Sequence, residues 1–254
     1  MDVQPRHGRI GRERGQYAAN RLLALLSRIF NLGNRWGYAA ENPAQGVERF
    51  HEVKRERFLQ PRRGAALFAA IQAEPNTDVQ DYVLVSLLTG VRNANELGRR
   101  WADVDLEATR WTIPGEQSKN RAPMTLPLRA EVVAVLKDRS RHTGASPWVF
   151  PGPGKSGHIA DPKKGWRRIL KCAEIEVLSL HDLRRTLGCW QASRGANLSN
   201  IGRSLDHRST QAAATYARLN LDPVCESVNG AEDALLVAGK AKQPAQTVPQ
   251  PERA

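Results

Sequence analysis

The apolar residues of this chain recur at helical spacing almost throughout, and the pattern changes to that of strands only once. Three short runs of β-forming residues, separated by turn-forming residues, occupy 104–106, 110–113 and 124–126. On both sides of them, apolar positions repeat every three to four residues, which is typical of helices that bury one face. We therefore predict a mainly α fold of the α+β class with a small three-stranded antiparallel sheet.

The helical pattern divides into separate segments with recognisable ends. Gly90 follows an apolar segment and suits a left-handed C-cap, a conformation that glycine adopts at little cost. Ser209 suits the N-cap of a later segment. Beyond a short apolar stretch near 64–71, helices are predicted at 16–36, 78–89, 93–101, 129–142, 162–175, 181–194, 197–206, 209–219 and 223–238.

The charge of the chain points to a polyanionic partner. The 254 residues carry a formal net charge of +12, and an apolar fraction of 41% is sufficient for a core. Nucleic acid is the partner that such a basic balance favours. The three cysteines have neither the spacing of a zinc site nor that of a disulfide framework. With no signal peptide or apolar membrane span in the pattern, we expect a cytoplasmic, nucleoid-associated protein without membrane contact.

The pattern also suggests a domain organisation. Residues 1–15 are rich in arginine, lack a hydrophobic period and are predicted to be a flexible basic arm. A helix and a charged linker fill 16–63, and a larger domain is predicted from 64 to 238. Residues 239–254 have the composition of a disordered tail.

Four basic residues could bind a phosphate or donate a proton to it. Arg92 lies at a turn between two predicted helices, where a guanidinium beside free N–H groups would bind an anion. Lys119 lies on a predicted hairpin loop and could protonate a leaving oxygen. His181 and Arg184 are three residues apart near the start of a helix and share a face. Taken singly, each is more often a solvated surface charge than a functional residue.

A tyrosine follows a histidine by nine residues near the end of the large domain. Tyr216 lies about two turns into a helix, and His207 precedes that helix. A phenol has an unperturbed pKa of about 10 and is a weak nucleophile unless cations surround it. Taken singly, Tyr216 fits a half-buried aromatic residue and His207 a capping residue.

Together the motifs resemble the tyrosine recombinases, in particular integrases of the phage type. Thr89-Gly90-x-Arg92, Ser118-Lys119-Asn120, His181-x-x-Arg184, Leu205-x-His207 and Tyr216 occur in the order and at the spacing of that family. The resemblance covers roughly 64–238 as a catalytic domain. It extends to the helix at 16–36, which resembles the end of the family's core-binding domain, so that 16–63 would be a remnant of that domain plus a linker.

The resemblance implies site-specific cutting and rejoining of DNA without a metal or other cofactor. Tyr216 would attack a phosphodiester and form a 3′-phosphotyrosyl link. Arg92, His181 and Arg184 would bind the non-bridging oxygens, His207 would assist at the phosphate, and Lys119 would protonate the leaving 5′-oxygen. The implied partners are double-stranded DNA, further copies of the chain as a tetramer on DNA, and accessory DNA-bending proteins. The last helix would dock on a neighbouring copy or on its own domain.

Two positions depart from the family's pattern. Asn95 stands where many members have glutamate, and we expect it to support the site by hydrogen bonding. Asp206 stands where the family usually has glycine, and an acid there would weaken phosphate binding or face solvent. The family's core-binding bundle is reduced to about one long helix here.

Three hypotheses for function follow. The first is an active integrase. The second is an N-terminally truncated, recombination-deficient relic that only binds DNA. The third is a type IB topoisomerase, which shares the tyrosine chemistry but which the Ser-Lys-Asn and Leu-x-His motifs do not favour.

Overall fold

A computed structural model describes residues 2–38, 41–52, 57–118, 121–143, 145–207, 209–219, 228–229 and 231–233. The chain divides into two compact units, Met1–Glu56 and Arg57–Ala254. The predicted domain boundary, between residues 63 and 64, lies a few residues after the boundary between these units in the sequence. Within the described ranges, no helix has both the length and the apolar character to span a membrane.

The first unit is built on two helices, α1 (Gln4–Arg14) and α2 (Gln16–Arg35), joined at Gly15. The prediction of a flexible arm over 1–15 is therefore wrong for most of that segment. The side chain of His7 is buried, hydrogen-bonds to Asn20 at 3.1 Å and stacks on the ring of Phe50 at 4.7 Å. Because polar and aromatic contacts hold α1, it needs no apolar period, and the sequence pattern could not reveal it.

Asn20 connects α2 to the segment that follows. Its amide nitrogen donates to the carbonyl oxygen of Phe50 and to the carboxylate of Glu52, both at 2.8 Å, and its oxygen accepts from the Phe50 N–H at 3.0 Å. The apolar stripe predicted on α2 is divided. Leu23 is buried, whereas Leu25 and Ile29 are 55% and 53% exposed.

The second unit surrounds the sheet with helices. The strands are β1 (Val104–Asp105), β2 (Arg110–Ile113) and β3 (Met124–Pro127), antiparallel and in the order β1-β2-β3. The helices are α3 (Gly64–Gln72), α4 (Thr77–Thr89), α5 (Asn93–Leu97), α6 (Ala130–Thr143), α7 (Lys163–Cys172), α8 (Leu180–Ser193), α9 (Leu198–Ser204) and α10 (Thr210–Leu219). The mainly α fold with one three-stranded sheet is thus confirmed. The helix predicted at 223–238 and the tail at 239–254 lie almost entirely outside the described residues.

Alternation along β2 explains how the sheet meets the core. Trp111 and Ile113 are buried, while Arg110 and Thr112 between them are exposed. The buried face packs into a core that α3, α4, α6, α7 and α8 share. A second, smaller cluster joins α8, α9 and α10, and Tyr216 belongs to it.

The beginning of the second unit is attached to α8. The N–H of Leu59 donates to the hydroxyl of Thr186 at 2.9 Å, and the indole N–H of Trp190 donates to the carbonyl oxygen of Leu59 at 3.0 Å. These bonds connect residues about 130 positions apart and hold the chain before α3 against the helix that carries Arg184.

Close packing of α7 on α4 generates a stability prediction. A Cβ at Gly165 would lie 2.4 Å from Cγ1 of Val79. Gly165→Ala should lower the free energy of unfolding by about 1–3 kcal/mol, because overpacking outweighs the better helix propensity of alanine. Urea denaturation followed by circular dichroism measures this. Gly154→Ala is the matched control, since its nearest contact would be at 3.9 Å. Equal stability of the two variants would contradict the packing argument.

Candidate active site

The end of α4 positions the first arginine. Gly90 has φ 61° and ψ 19°, so the helix ends in the left-handed cap that the sequence predicts. A side chain there would also clash, because a Cβ would lie 2.7 Å from Leu187 and 2.9 Å from Leu205. The chain then turns, and Arg92 becomes the extended N-cap residue of α5.

The start of α8 positions two further candidates. The carboxylate of Asp182 accepts from the N–H of Ser179 at 2.8 Å and from its hydroxyl at 2.7 Å, which secures the first turn. His181 lies in this turn and is exposed. Arg184, one turn on, is only 4% exposed, and its Nη1 donates to the carbonyl oxygen of Gly90 at 2.9 Å. Its Nη2 is buried and has no hydrogen-bond partner in the described part of the chain.

Tyr216 and His207 lie side by side. The hydroxyl of Tyr216 is 3.4 Å from Nε2 of His207, and the two rings stack at 5.5 Å with an interplanar angle of 16°. Tyr216 is 6% exposed. It packs against the backbone of α8 at Gly188, where a Cβ would lie 2.8 Å from its ring. The predicted cap at Ser209 is present, its hydroxyl accepting from the Ala212 N–H at 3.3 Å.

Asp206 occupies the space in front of Arg92. The Arg92 guanidinium contacts the Asp206 carboxylate through Nη1 and donates from Nη2 to the Asp206 carbonyl oxygen at 2.8 Å. The hydroxyl of Ser118 donates to the same carboxylate at 3.3 Å. Asp206 has φ +49°, a left-handed conformation that explains why glycine would suit this position. Of the two alternatives for this acid, it faces the site rather than solvent.

The loop between β2 and β3 reaches this same region. Ser118 is 5% exposed and contacts Asp206. Lys119, the candidate proton donor, lies outside the described residues, so its predicted place in the site stays a prediction. Asn95 is buried, and its backbone N–H donates to the carbonyl oxygen of Arg92 at 2.9 Å. Its side chain makes no hydrogen bond to another site residue in the described ranges, so its supporting role also stays a prediction.

Sequence reasoning assigned no role to four residues in or near the site. Ser118 and Gly188 contact Asp206 and Tyr216 as described above, and Glu96 is fully buried with Arg99, their side chains 2.7 Å apart. Glu96 lies on α5 and Arg99 follows two residues after its end, with the Arg99 guanidinium 3.6 Å from the centre of the Trp111 ring. Gly188 lies inside the helical pattern of α8, and a glycine at such a position indicates that another group approaches the helix backbone closely. Ser118 was identified only as part of the Ser118-Lys119-Asn120 motif, and its contact with Asp206 was not predicted.

Burial and the crowded cations determine the protonation states. Burial, reinforced by Arg184 and Arg92, lowers the pKa of His207 to about 4, so its imidazole is neutral at pH 7. Burial and the neighbouring Arg185 and Arg184 also lower the pKa of His181. Burial raises the pKa of Tyr216, although Arg184 opposes that shift.

The arrangement combines a protonated phenol, a neutral imidazole and two guanidinium groups. Guanidinium groups match the geometry of phosphate oxygens, and a phenol between them can act as a nucleophile toward phosphorus. Among the residues that the structure covers, no cluster of three or more His, Cys, Asp or Glu side chains could hold a metal ion. The guanidinium groups and the phenol suit this site to phosphate chemistry supported by protein cations.

The chain belongs to the phage integrase family, whose sequence model matches residues 57–222. It is 30% identical over 166 residues to prophage integrase IntF of Escherichia coli (strain K12), covering 65% of this chain and 36% of that protein. It is 29% identical over 180 residues to the integrase of Salmonella phage P22, covering 65% of this chain and 44% of that one. The chain therefore spans less than half the length of these relatives.

Solved structures share the fold. A lambda integrase dimer bound to a COC' core site superposes with a TM-score of 0.67 at 15% identity, covering 85% of this chain and 78% of that one. The Tn1549 transposon integrase in complex with circular intermediate DNA gives a TM-score of 0.69 at 16% identity, covering 84% and 79%. The likeness confirms the tyrosine recombinase fold.

The lowered pKa of His207 predicts an acid-sensitive fold. Its folded-state pKa of about 4 lies below the ordinary value of 6.5, so the unfolded chain binds the proton more readily between these values. Stability should therefore be intact above pH 6.5 and fall as the pH decreases toward 4. Urea denaturation at pH 7, 5.5 and 4.5 measures this. As the pH falls, the free energy of unfolding should decrease less for His207→Gln than for the unmodified protein. Parallel losses would show that His207 does not titrate as described.

Proposed function

We propose that this chain is a site-specific DNA recombinase that cuts and rejoins DNA through a 3′-phosphotyrosyl intermediate. The observation that carries the proposal is the meeting of Arg92 at the N-cap of α5, Arg184 on α8, His207 before α10 and Tyr216 on α10. Burial lowers the pKa of Arg184 to about 10, and the charges of Arg92 and Asp206 act on the same guanidinium. Membership of the phage integrase family supports the same reaction.

The cations would stabilise the charge that develops on phosphorus. Arg92 and Arg184 would each donate to a non-bridging oxygen, and the buried Nη2 of Arg184 has a donor to offer. His181, at the exposed start of α8, would contact the same phosphate. Removing one such donor from a preorganised site typically costs about 10²–10³ in rate. No metal or organic cofactor is needed for this step.

The proton and the bonds balance within the site. The Tyr216 oxygen would form a bond to phosphorus as the bond to the 5′-oxygen breaks. His207 is 3.4 Å from that phenol and neutral, so its imidazole would accept the phenolic proton. Lys119 would protonate the leaving 5′-oxygen, and Asn95 would support the site. Because the phosphotyrosyl link preserves the phosphodiester energy, the 5′-hydroxyl of a partner strand could reverse the reaction.

The proposed partners are double-stranded DNA and other copies of the chain. A lambda integrase tetramer has been solved bound to a Holliday junction and shares this fold with a TM-score of 0.65 at 14% identity. We propose a tetramer on DNA, with accessory DNA-bending proteins, acting in the cytoplasm at the nucleoid. The net charge of +12 supports contact with the phosphate backbone.

Covalent trapping tests the proposal. In a pool of nicked duplexes with a randomised central sequence, cleavage releases the short fragment that carries the new 5′-hydroxyl, and its loss prevents rejoining. The unmodified protein should yield a DNA–protein band that survives detergent, and Tyr216→Phe should yield none because the nucleophile is absent. Tyr38→Phe, at a residue that is 86% exposed, is the matched control and should retain the band.

A gel shift on the same pool shows whether binding sequences are present. Retarded DNA without any covalent band would contradict the enzyme and support the relic that only binds DNA. Relaxation of supercoiled plasmid by the monomer would instead favour a topoisomerase.

The role of Lys119 has a separate test. Lys119→Ala should slow cleavage of an ordinary phosphodiester by about 10²–10⁴, the usual contribution of a general acid. On a substrate with sulfur at the bridging 5′ position, the same variant should lose much less of its cleavage rate. A thiol has a pKa of about 8.5, so the thiolate can leave without a proton donor. Lys155→Ala, at an exposed loop position, is the control for lost charge. Equal slowing on both substrates would show that Lys119 is not the acid.

A further inference from the structure

Asp206 places an anion where a substrate phosphate would have to bind. It lies between α9 and α10, next to His207, and its left-handed backbone aims the side chain at Arg92. Its side chain is only 13% exposed, so the carboxylate is held in the site rather than in solvent. Its charge acts on both Arg184 and His207.

The contacts of Asp206 use the donors that a phosphate would need. Both terminal nitrogens of Arg92 are engaged, one by the carboxylate and the other by the carbonyl oxygen at 2.8 Å. The Ser118 hydroxyl approaches the same carboxylate at 3.3 Å. A guanidinium binds carboxylate and phosphate through the same kind of paired N–H donors, so the two anions compete for the terminal nitrogens of Arg92.

We propose, on the basis of the function proposed above, that Asp206 is an internal competitor of the DNA phosphate for Arg92. The Arg92 side chain is 25% exposed, so an incoming phosphate can reach it and displace the carboxylate. Arg184 is only 4% exposed, so the more accessible Arg92 is the guanidinium for which the two anions compete. Asp206 thereby sets the affinity of the site for the backbone without taking part in bond breaking.

Internal competition predicts a particular kinetic signature. When the competent state is only partly populated, the apparent dissociation constant rises by the inverse of that population, while the reaction of bound substrate is unchanged. Asp206→Asn keeps the shape, tolerates positive φ and removes the charge. It should bind DNA about fivefold to tenfold more tightly, with an unchanged single-turnover cleavage rate at saturating DNA.

The control separates this effect from a general gain of positive charge. Glu107→Gln makes the same change of net charge at an exposed turn position. Its affinity for DNA should rise by much less than that of Asp206→Asn. Asp206→Gly, which suits the backbone conformation, provides a second variant should the asparagine variant fold poorly. Equal affinities of the Asp206 and Glu107 variants would overturn the proposal, as would a lowered cleavage rate at saturation, which would make Asp206 a positioning residue for Arg92.

A measurement without DNA makes the two proposals separable. Inorganic phosphate is titrated into the free protein, and the arginine side-chain NMR signals report binding. Phosphate should bind Asp206→Asn about fivefold to tenfold more tightly, and the gain should vanish when Arg92→Ala is added. This result with no covalent band from the unmodified protein would support competition and refute the recombinase. A covalent band with no gain in phosphate affinity would refute the competition alone.

Discussion

The hydrogen bond from the Arg184 guanidinium to the Gly90 carbonyl oxygen is the interaction on which the site depends. It joins α8 to the turn that follows α4, and residues 94 positions apart in the chain meet through it. Because Gly90 has no side chain, Leu187 and Leu205 can pack against the same turn. The arginine on α8 is therefore bonded directly to the backbone turn that leads into the arginine at the start of α5.

The same principle operates on the other side of α8. Gly188 lets the ring of Tyr216 lie directly on the helix backbone, with Leu205 beside it. The phenol and both guanidinium groups are thus fixed relative to one helix. Burying these cations close together carries a desolvation free energy, because each charged group loses its contact with water. The structure compensates in two ways: the histidine stays neutral, and the Asp206 carboxylate neutralises Arg92.

Local chemistry made much of the fold predictable. The three strands were found because alternation is a local property, and Gly90 was found because a left-handed cap strongly favours glycine. Helix α1 was not found, because a buried histidine, an asparagine and a phenylalanine ring hold it in place of an apolar stripe. The stripe on α2 predicted burial, yet much of it is exposed, since periodicity reports an apolar face but not what covers it.

The sequence by itself determined the family, the order of its motifs and the residue types available for phosphate chemistry. Only the tertiary structure decided the charge state and pairing of those residues. Arg92 and Asp206 are 114 positions apart, so their contact depends on how α5 and the turn after α9 are packed. Likewise, the neutral imidazole of His207 results from burial next to two arginines that lie far away in sequence. Electrostatic interactions act through space, and a linear pattern does not contain those distances.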